Sequence, residues 1–372
     1  MAWRAEDLLH MSTRVALHLP GLDAGGVEKT CLILAREFVQ LGFDVDLVVL
    51  RVEGALACEV PSGVRVIHLN ARRTRNGLLP LARYLRRERP DMLIANLGAQ
   101  NVSAILARFL ARVPTRIVAV QHNALTRQAQ GNGWLLRLLP LIYRLLLPFA
   151  DRIVCVSHGV ADDIARATGI SRTAITVIHN PVEAPDGNHP PRNAEKFFCA
   201  GFPVAVAVGR LVHQKGFDTL IRAVALANRT TPLGLAIVGD GLLRQELVAL
   251  AQREGIADRV YFAGFQLQPA AFIRHARMLV LSSRHEGFGT VLVEALACGV
   301  PVVSTDCDYG PSEILRGGAL GRLVAVDDAA ALAEAMIATL GDHQDRGALI
   351  GRAADFAPAR IARSYVAMWQ AP

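Results

Sequence analysis

Short β-branched runs alternate with amphipathic helical patterns along almost the whole chain, and this rhythm limits the fold more than any other feature. Strand signals fall at 15–19, 45–50, 64–68, 92–95, 116–120, 152–156 and 176–178. A second series falls at 204–208, 233–238, 260–262, 278–281 and 301–304. Helical patterns at 27–41, 98–111, 217–227, 242–254 and 290–297 separate most neighbours. Strand–helix–strand repetition predicts parallel, doubly wound sheets, an α/β class. The 372 residues exceed what one ordinary core accommodates, so two domains are expected. The break lies at 180–193, a run rich in Pro, Asn and Gly that sustains neither helix nor ladder. The reading is a Rossmann-like domain over 1–182, a second over 183–355, and a terminal segment, 356–372, whose helix packs back on the first domain. The two domains are expected to face each other across a cleft.

Composition removes several classes. Hydrophobic residues make up 52% and charged residues 20%, the balance of a globular chain. No apolar run approaches the roughly 18 residues that span a bilayer. The apolar strand at 15–19 is too short for a signal-peptide core, and Met11 is an alternative start, so a cytoplasmic protein is expected. The six cysteines, Cys31, Cys58, Cys155, Cys199, Cys298 and Cys307, form no Cys-x-x-Cys pair and read as buried free thiols. The net charge is +7, with Arg72, Arg73, Arg75, Arg83, Arg86, Arg87 and Arg89 in one short segment. No nucleic-acid motif accompanies them, so anionic lipid or a diphosphate suits them better, against the alternative of a solvated helix face.

The chemistry concentrates in Glu286-Gly-Phe-Gly-Thr-Val-Leu-Val-Glu294. An apolar strand leads in, a Gly-Phe-Gly turn follows, and an apolar helix begins. The helix start therefore lies at the carboxyl end of a parallel strand, where open α/β sheets place ligands. Free amides there favour an anion. Glu286 before the turn and Glu294 about two turns into the helix can hold a hydroxyl-rich molecule from two sides, with a phosphate on the helix end. That combination suits a nucleotide sugar.

Other strand ends add candidates. Pro20–Glu28 puts Gly25 and Gly26 where backbone can approach a phosphate or sugar, although many βα turns use glycine and this is not the dinucleotide fingerprint. In Gly209-Arg-Leu-Val-His-Gln-Lys-Gly216, Arg210 and Lys215 offer a planar fork and a point charge for a diphosphate, or else are two surface cations. Val238-Gly-Asp-Gly241 brings Gly239 near a ligand or is a plain tight turn. The backbone around Phe265 and Gln266 can read the edge of a base. His122 ends a first-domain strand, either as a core histidine or as a cleft group. Asn180 contacts ligand or linker. Asp44-Val-Asp46 and Asp306-Cys-Asp308 have a spacing that can hold a divalent ion, but the first opens a buried strand, and Arg210 and Lys215 already suffice to neutralise a diphosphate, so no required metal is expected. The apolar run Gly133–Phe149 either lies on a membrane or meets a lipid-linked acceptor, or it is a buried helix.

At these landmarks the chain resembles the retaining glycosyltransferases of family 4, which have the two-domain GT-B fold, nearly end to end. The segment from Arg284 to Ser304 looks like that family's E-x7-E region, and 304–315 looks like members that build bacterial surface polysaccharides. The resemblance implies that Arg210 and Lys215 bind the donor diphosphate, with Gly25, Gly26 and the amides near Thr290. It implies Glu294 on the ribose hydroxyls, Glu286 near the donor sugar with the Phe288 and Gly289 amides, and His122 on the donor sugar. It also implies no metal or other cofactor. The expected reaction moves a hexosyl or N-acetylhexosaminyl group, with retention, from a UDP-linked donor to a glycan or lipid-linked acceptor, at or near the cytoplasmic membrane face. Rival readings are a catalytically idle binding subunit, a phosphorylase and a nucleotide-sugar epimerase.

Overall fold

The computed structural model describes residues 13–23, 25–129, 137–184 and 194–370. The chain divides into two compact units, residues 1–181 with 358–372, and residues 182–357.

The first unit is built on seven strands: β1 (Arg14–Leu19), β2 (Asp44–Val49), β3 (Val64–His68), β4 (Met92–Asn96), β5 (Arg116–Gln121), β6 (Arg152–Cys155) and β7 (Ile175–Val177). They run in the order β3-β2-β1-β4-β5-β6-β7, and every pair is parallel. Every residue of β4 is buried, as is every residue of β1 after Arg14. Such continuous apolar runs are what a sheet covered on both faces requires. Strand order reverses between β1 and β4, which both pair with each other and turn outward to β2 and β5. The terminal helix Pro358–Gln370 belongs to this unit. Tyr365 meets Phe38 edge-on at 6.3 Å, and Trp369 lies 6.1 Å from Phe43. Arg116 donates to the Trp369 carbonyl at 3.1 Å.

The second unit repeats the plan with β8 (Val204–Val208), β9 (Gly234–Val238), β10 (Val260–Gly264), β11 (Met278–Leu281), β12 (Val302–Thr305) and β13 (Arg322–Val324). The order is β10-β9-β8-β11-β12-β13, again parallel throughout. Its core joins Leu235, Ile237, Leu220, Val224, Val280 and Met336. The reversal of strand order lies between β8 and β11.

Phe356 stays with the second unit, where the sequence reading placed it in the terminal segment. Its ring packs 5.4 Å from Phe288, Arg352 lies 4.6 Å over it, and its carbonyl accepts from the Val182 amide. The terminal helix begins only at Pro358, a residue whose fixed φ suits a first helical position.

Candidate functional site

The loops after β8 and β11 carry the charged groups of the second unit, and they meet at its switch point, the place where doubly wound sheets bind ligands. Lys215 Nζ donates to Glu286 Oε1 at 2.6 Å, and Ser283 Oγ donates to the same oxygen at 2.6 Å. Glu286 is 8% exposed and Ser283 fully buried. A charge so placed is stable only with partners of this kind. Lys215 and Arg210, alike in sequence, therefore differ. Lys215 is paired and half-buried, whereas Arg210 is exposed and has no ion pair among the described residues. The pair orients the Glu286 carboxylate, and Arg210, near Lys215 in sequence, stands exposed.

Three further contacts lock the two loops. Ser282 Oγ donates to the Lys215 carbonyl at 2.8 Å, and Gln214 Nε2 to the His285 carbonyl at 2.9 Å. Arg284 reaches the His213 carbonyl at 2.7 Å, binds Asp218 through both nitrogens at 3.0 and 2.9 Å, and reaches Asp327 at 2.8 Å. Burial alone would raise the Asp218 carboxyl, but the Arg284 contacts outweigh it and hold the group below its ordinary value. The approach is close enough to demand glycine at 216. Its φ is +60°, and a Cβ there would stand 2.1 Å from the Ser282 carbonyl oxygen.

Gly289, at φ +91°, starts the helix Thr290–Ala297 and offers no side-chain cap. The first-turn amides and the positive helix end are thus arranged for an anion. Thr290 and Glu294 are half-buried on this helix. The Phe288 side chain is core, 2% exposed against Phe356, so only its backbone is available for binding. Gly310, at φ +111°, lets the loop after β12 come within 2.0 Å, measured from an added Cβ, of the Phe288 carbonyl oxygen. The turn is held from below by backbone contact.

Gly239 resolves toward a structural reason. An added Cβ would lie 1.9 Å from the Gly209 carbonyl oxygen, and its amide donates to the Gly264 carbonyl at 2.8 Å. The Gly209 backbone, in the loop after β8, is what requires the glycine. Phe265 is 48% exposed just beyond β10, and Gln266 donates back to the Ala263 carbonyl at 2.9 Å.

In the first unit Gly25 is extended and precedes the helix Gly26–Gln40. An added Cβ on Gly25 would meet the Glu28 carboxylate at 2.0 Å, while at Gly26 nothing lies within 4 Å. A side chain at Gly25 would displace only the end of the flexible Glu28 side chain, and the open approach is at Gly26. His122 is 5% exposed past β5, and its Nε2 donates to Asn96 Oδ1 at 2.9 Å. Burial pushes its imidazole down to about 4, and Asn180, itself buried, raises it only in part. Nδ1 is buried and has no partner in good hydrogen-bond geometry among the described residues. The neutral ring therefore offers a lone pair at Nδ1. Leu97, between β4 and the helix Gly98–Ala111, has φ +78° and ψ 155°, a conformation that side chains rarely adopt.

Asp46 is not a metal ligand candidate, since it takes Arg65 at 2.8 and 2.7 Å and the Tyr84 hydroxyl at 2.6 Å. Asp308 instead supplies a backbone acceptor to the Glu286 amide at 3.3 Å. Among the described residues no three His, Cys, Asp or Glu side chains gather as metal ligands. Of the thiols, Cys31, Cys155, Cys298 and Cys307 are buried, whereas Cys58 and Cys199 are exposed, contrary to the uniform reading. The apolar run is described from 137 onward, and its residues 133–136 lie outside the described residues. Its helix, Leu139–Leu146, buries Tyr143 but exposes Leu141 and Leu145, so it is neither fully buried nor long enough to span. No helix among the described residues is long and apolar enough to cross a membrane. Sequence reasoning missed Ser283, Arg284, Asp218 and Asn96. Arg284 lay inside the Glu286 segment, but its acceptors are distant in sequence and carry no local signal.

Two family models match, "Glycosyl transferases group 1" over residues 193–356 and "Glycosyltransferase Family 4" over residues 24–184. The lipopolysaccharide core biosynthesis glycosyltransferase LpsE of Rhizobium meliloti is 30% identical over 344 residues, 88% of this chain and 89% of the relative. The N-acetylgalactosamine-N,N'-diacetylbacillosaminyl-diphospho-undecaprenol 4-alpha-N-acetylgalactosaminyltransferase of Campylobacter jejuni is 26% identical over 353 residues, 91% of this chain and 93% of that one. The solved structure of Anabaena HepE in complex with UDP and glucose superposes with TM-score 0.80 at 22% identity, covering 98% of this chain and 100% of that one. With matches over both units and sheets of this topology, the chain belongs to the group 1 glycosyl transferases and is a glycosyltransferase of GT-B fold.

Proposed function

We propose that this glycosyltransferase moves a hexosyl or N-acetylhexosaminyl group from a UDP-linked donor to a glycan or lipid-linked saccharide acceptor in surface-polysaccharide synthesis, with retention at the anomeric carbon. The observation that carries the reading is the Lys215–Glu286–Ser283 arrangement at the second unit's switch point, beside an uncapped helix start. The donor diphosphate lies against the Thr290 amides, with Arg210 and Lys215 as counter-charges. Glu294 takes ribose hydroxyls, and the base lies against the backbone at Phe265. Supporting the substrate classes, the Rhizobium relative is named for lipopolysaccharide core synthesis and the Campylobacter relative for a diphospho-undecaprenol acceptor. The Anabaena structure holds UDP and glucose.

As the sugar–phosphate bond breaks, negative charge grows on the leaving diphosphate, and fixed donors stabilise it without reorganising. The acceptor hydroxyl attacks from the face the phosphate leaves, and a phosphate oxygen takes its proton. Glu286 orients the donor sugar, since Lys215 and Ser283 share one of its oxygens. His122 contacts the donor sugar through its neutral ring. With two cations assigned to the diphosphate, no metal is required. The test is a reaction of UDP-sugars with a lipid-linked oligosaccharide in the presence of EDTA, followed by NMR of the product. The reading requires UDP release and an anomeric coupling that matches the donor's. Inverted product, or activity abolished by EDTA and restored by a divalent ion, would overturn it.

A further inference from the structure

Two donors crowd one oxygen of the Glu286 side chain and leave the other bare. Lys215 Nζ and Ser283 Oγ both donate to Oε1, each at 2.6 Å, and Oε2 accepts no hydrogen bond among the described residues. The two donors are not equivalent. Lys215 carries three N–H groups on a flexible stem, with its side chain 17% exposed, and the proposed reaction gives it the diphosphate as a second partner. Ser283 is fully buried, so it touches no substrate, and its one hydroxyl proton goes to Glu286.

The place of Ser283 beside the sheet explains why it holds still. It lies just past β11, and Thr305, the last residue of β12, donates through Oγ1 to its carbonyl at 2.6 Å. As negative charge grows on the leaving diphosphate, the Lys215 ammonium is drawn toward it and away from Glu286. A carboxylate tethered by Lys215 alone would turn with it, whereas the Ser283 hydroxyl keeps Oε1 where it is. We propose that Ser283 is a positioning residue for donor-sugar selection: by holding Oε1 it aims the bare Oε2 at one hydroxyl of the donor sugar, which the enzyme then requires. The inference rests on the reading of Glu286 as a donor-sugar contact. A site built to accept from a hydroxyl rejects the analogue that lacks it, because its own acceptor is left unpaired. A carboxylate free to turn finds another partner and rejects less.

The test compares the full-length wild type with Ser283→Ala and Ser283→Cys, on UDP-hexoses and their 3-, 4- and 6-deoxy forms. In wild type one deoxy form should lose at least about a hundredfold in kcat/KM. In Ser283→Ala, transfer from the parent donor should fall at least about tenfold, the loss of a hydrogen bond to a charged group. The penalty for that one deoxy form should shrink to about fivefold or less while the other two stay as they are, since only coupled groups depart from additivity. Ser283→Cys, which keeps a weak S–H donor, should fall between the two. UDP has no sugar and should bind all three proteins within about twofold. A deoxy penalty that Ser283→Ala leaves unchanged would overturn the proposal. So would UDP affinity that falls along with transfer, which would make Ser283 a prop of the whole site. A crystal structure of Ser283→Ala tests the same claim without turnover: the Glu286 carboxylate should have turned, and an unmoved carboxylate would overturn it. If wild type transfers no UDP-linked sugar, the donor reading fails, and that crystal structure still decides the role of Ser283.

Discussion

Replacing Arg284 with alanine removes the tie between the two donor loops, and its cost follows from the contacts. The side chain is 15% exposed and donates to a backbone carbonyl, to both oxygens of Asp218 and to Asp327. Breaking a buried ion pair by removing one partner costs about 3–5 kcal/mol. Asp218 and Asp327 are 32% and 52% exposed, so water replaces part of what is lost. A loss of about 3 kcal/mol remains, which for a unit of this size lowers the unfolding midpoint by about 9 °C. Urea melts at pH 7 read it directly, as a lower midpoint at unchanged slope. Asp218 adds a second, independent signature. Its folded carboxyl is held below the ordinary 3.8, so the stabilisation is full above that pH and disappears as pH falls through the lower folded value. The gap between wild type and variant should therefore hold from pH 7 to 5 and narrow below about pH 3.8. UDP affinity should fall too, because the turn that carries Lys215 loses its tether. A loss under about 1 kcal/mol at pH 7, or a gap that stays constant below about pH 3.8, would refute the reasoning.

Three other outcomes are expected. Gly216→Ala meets both the positive φ and the Ser282 carbonyl oxygen and should cost at least about 3 kcal/mol in urea melts, whereas Gly42→Ala, at φ +86° with nothing within 4 Å, should cost only about 1. His122 takes up its proton near pH 4 when folded and near 6.5 when unfolded, so stability falls as pH drops across that window, by about 3 kcal/mol at its end; His122→Asn should flatten the pH profile of the melts by that amount. Glu286→Gln keeps an acceptor for Ser283 and Lys215 but loses the charge, so transfer measured as UDP release should fall at least about a hundredfold, and the melting midpoint should fall as well because Lys215 loses its counter-charge.

The strand–helix alternation was enough to read both sheets, because parallel strands buried on two faces are apolar runs with little else in them. β13 escaped that reading. Its three residues, Arg322–Val324, are only half-buried at a sheet edge, and one charged residue in three leaves no periodicity to detect. Within the donor loops, Glu286 and Lys215 were legible as candidates because each sits just past a strand, but their mutual contact was not, since 71 positions separate them. Gly239 could be read as a ligand-facing glycine or as a plain tight turn, and the Gly209 backbone beside it is what requires a glycine there. That distinction depends on which loop lies beside it, a property of strand order and not of local sequence. The apolar run was ambiguous for a similar reason: an amphipathic helix with a broad apolar face shows the same composition whether its outer leucines are covered or exposed.

The central claim is that the loops after β8 and β11 and the helix start at Thr290 bind a nucleoside diphosphate, and calorimetric titration tests it most directly. UDP, GDP and ADP would each be titrated into wild type, Arg210→Ala and Glu294→Ala. The account predicts that wild type binds UDP in preference, and that each variant, still folded, binds at least about tenfold more weakly, the loss of one charge-assisted contact. Binding of UDP with equal affinity in all three proteins, or no binding of any of the nucleotides to wild type, would contradict it.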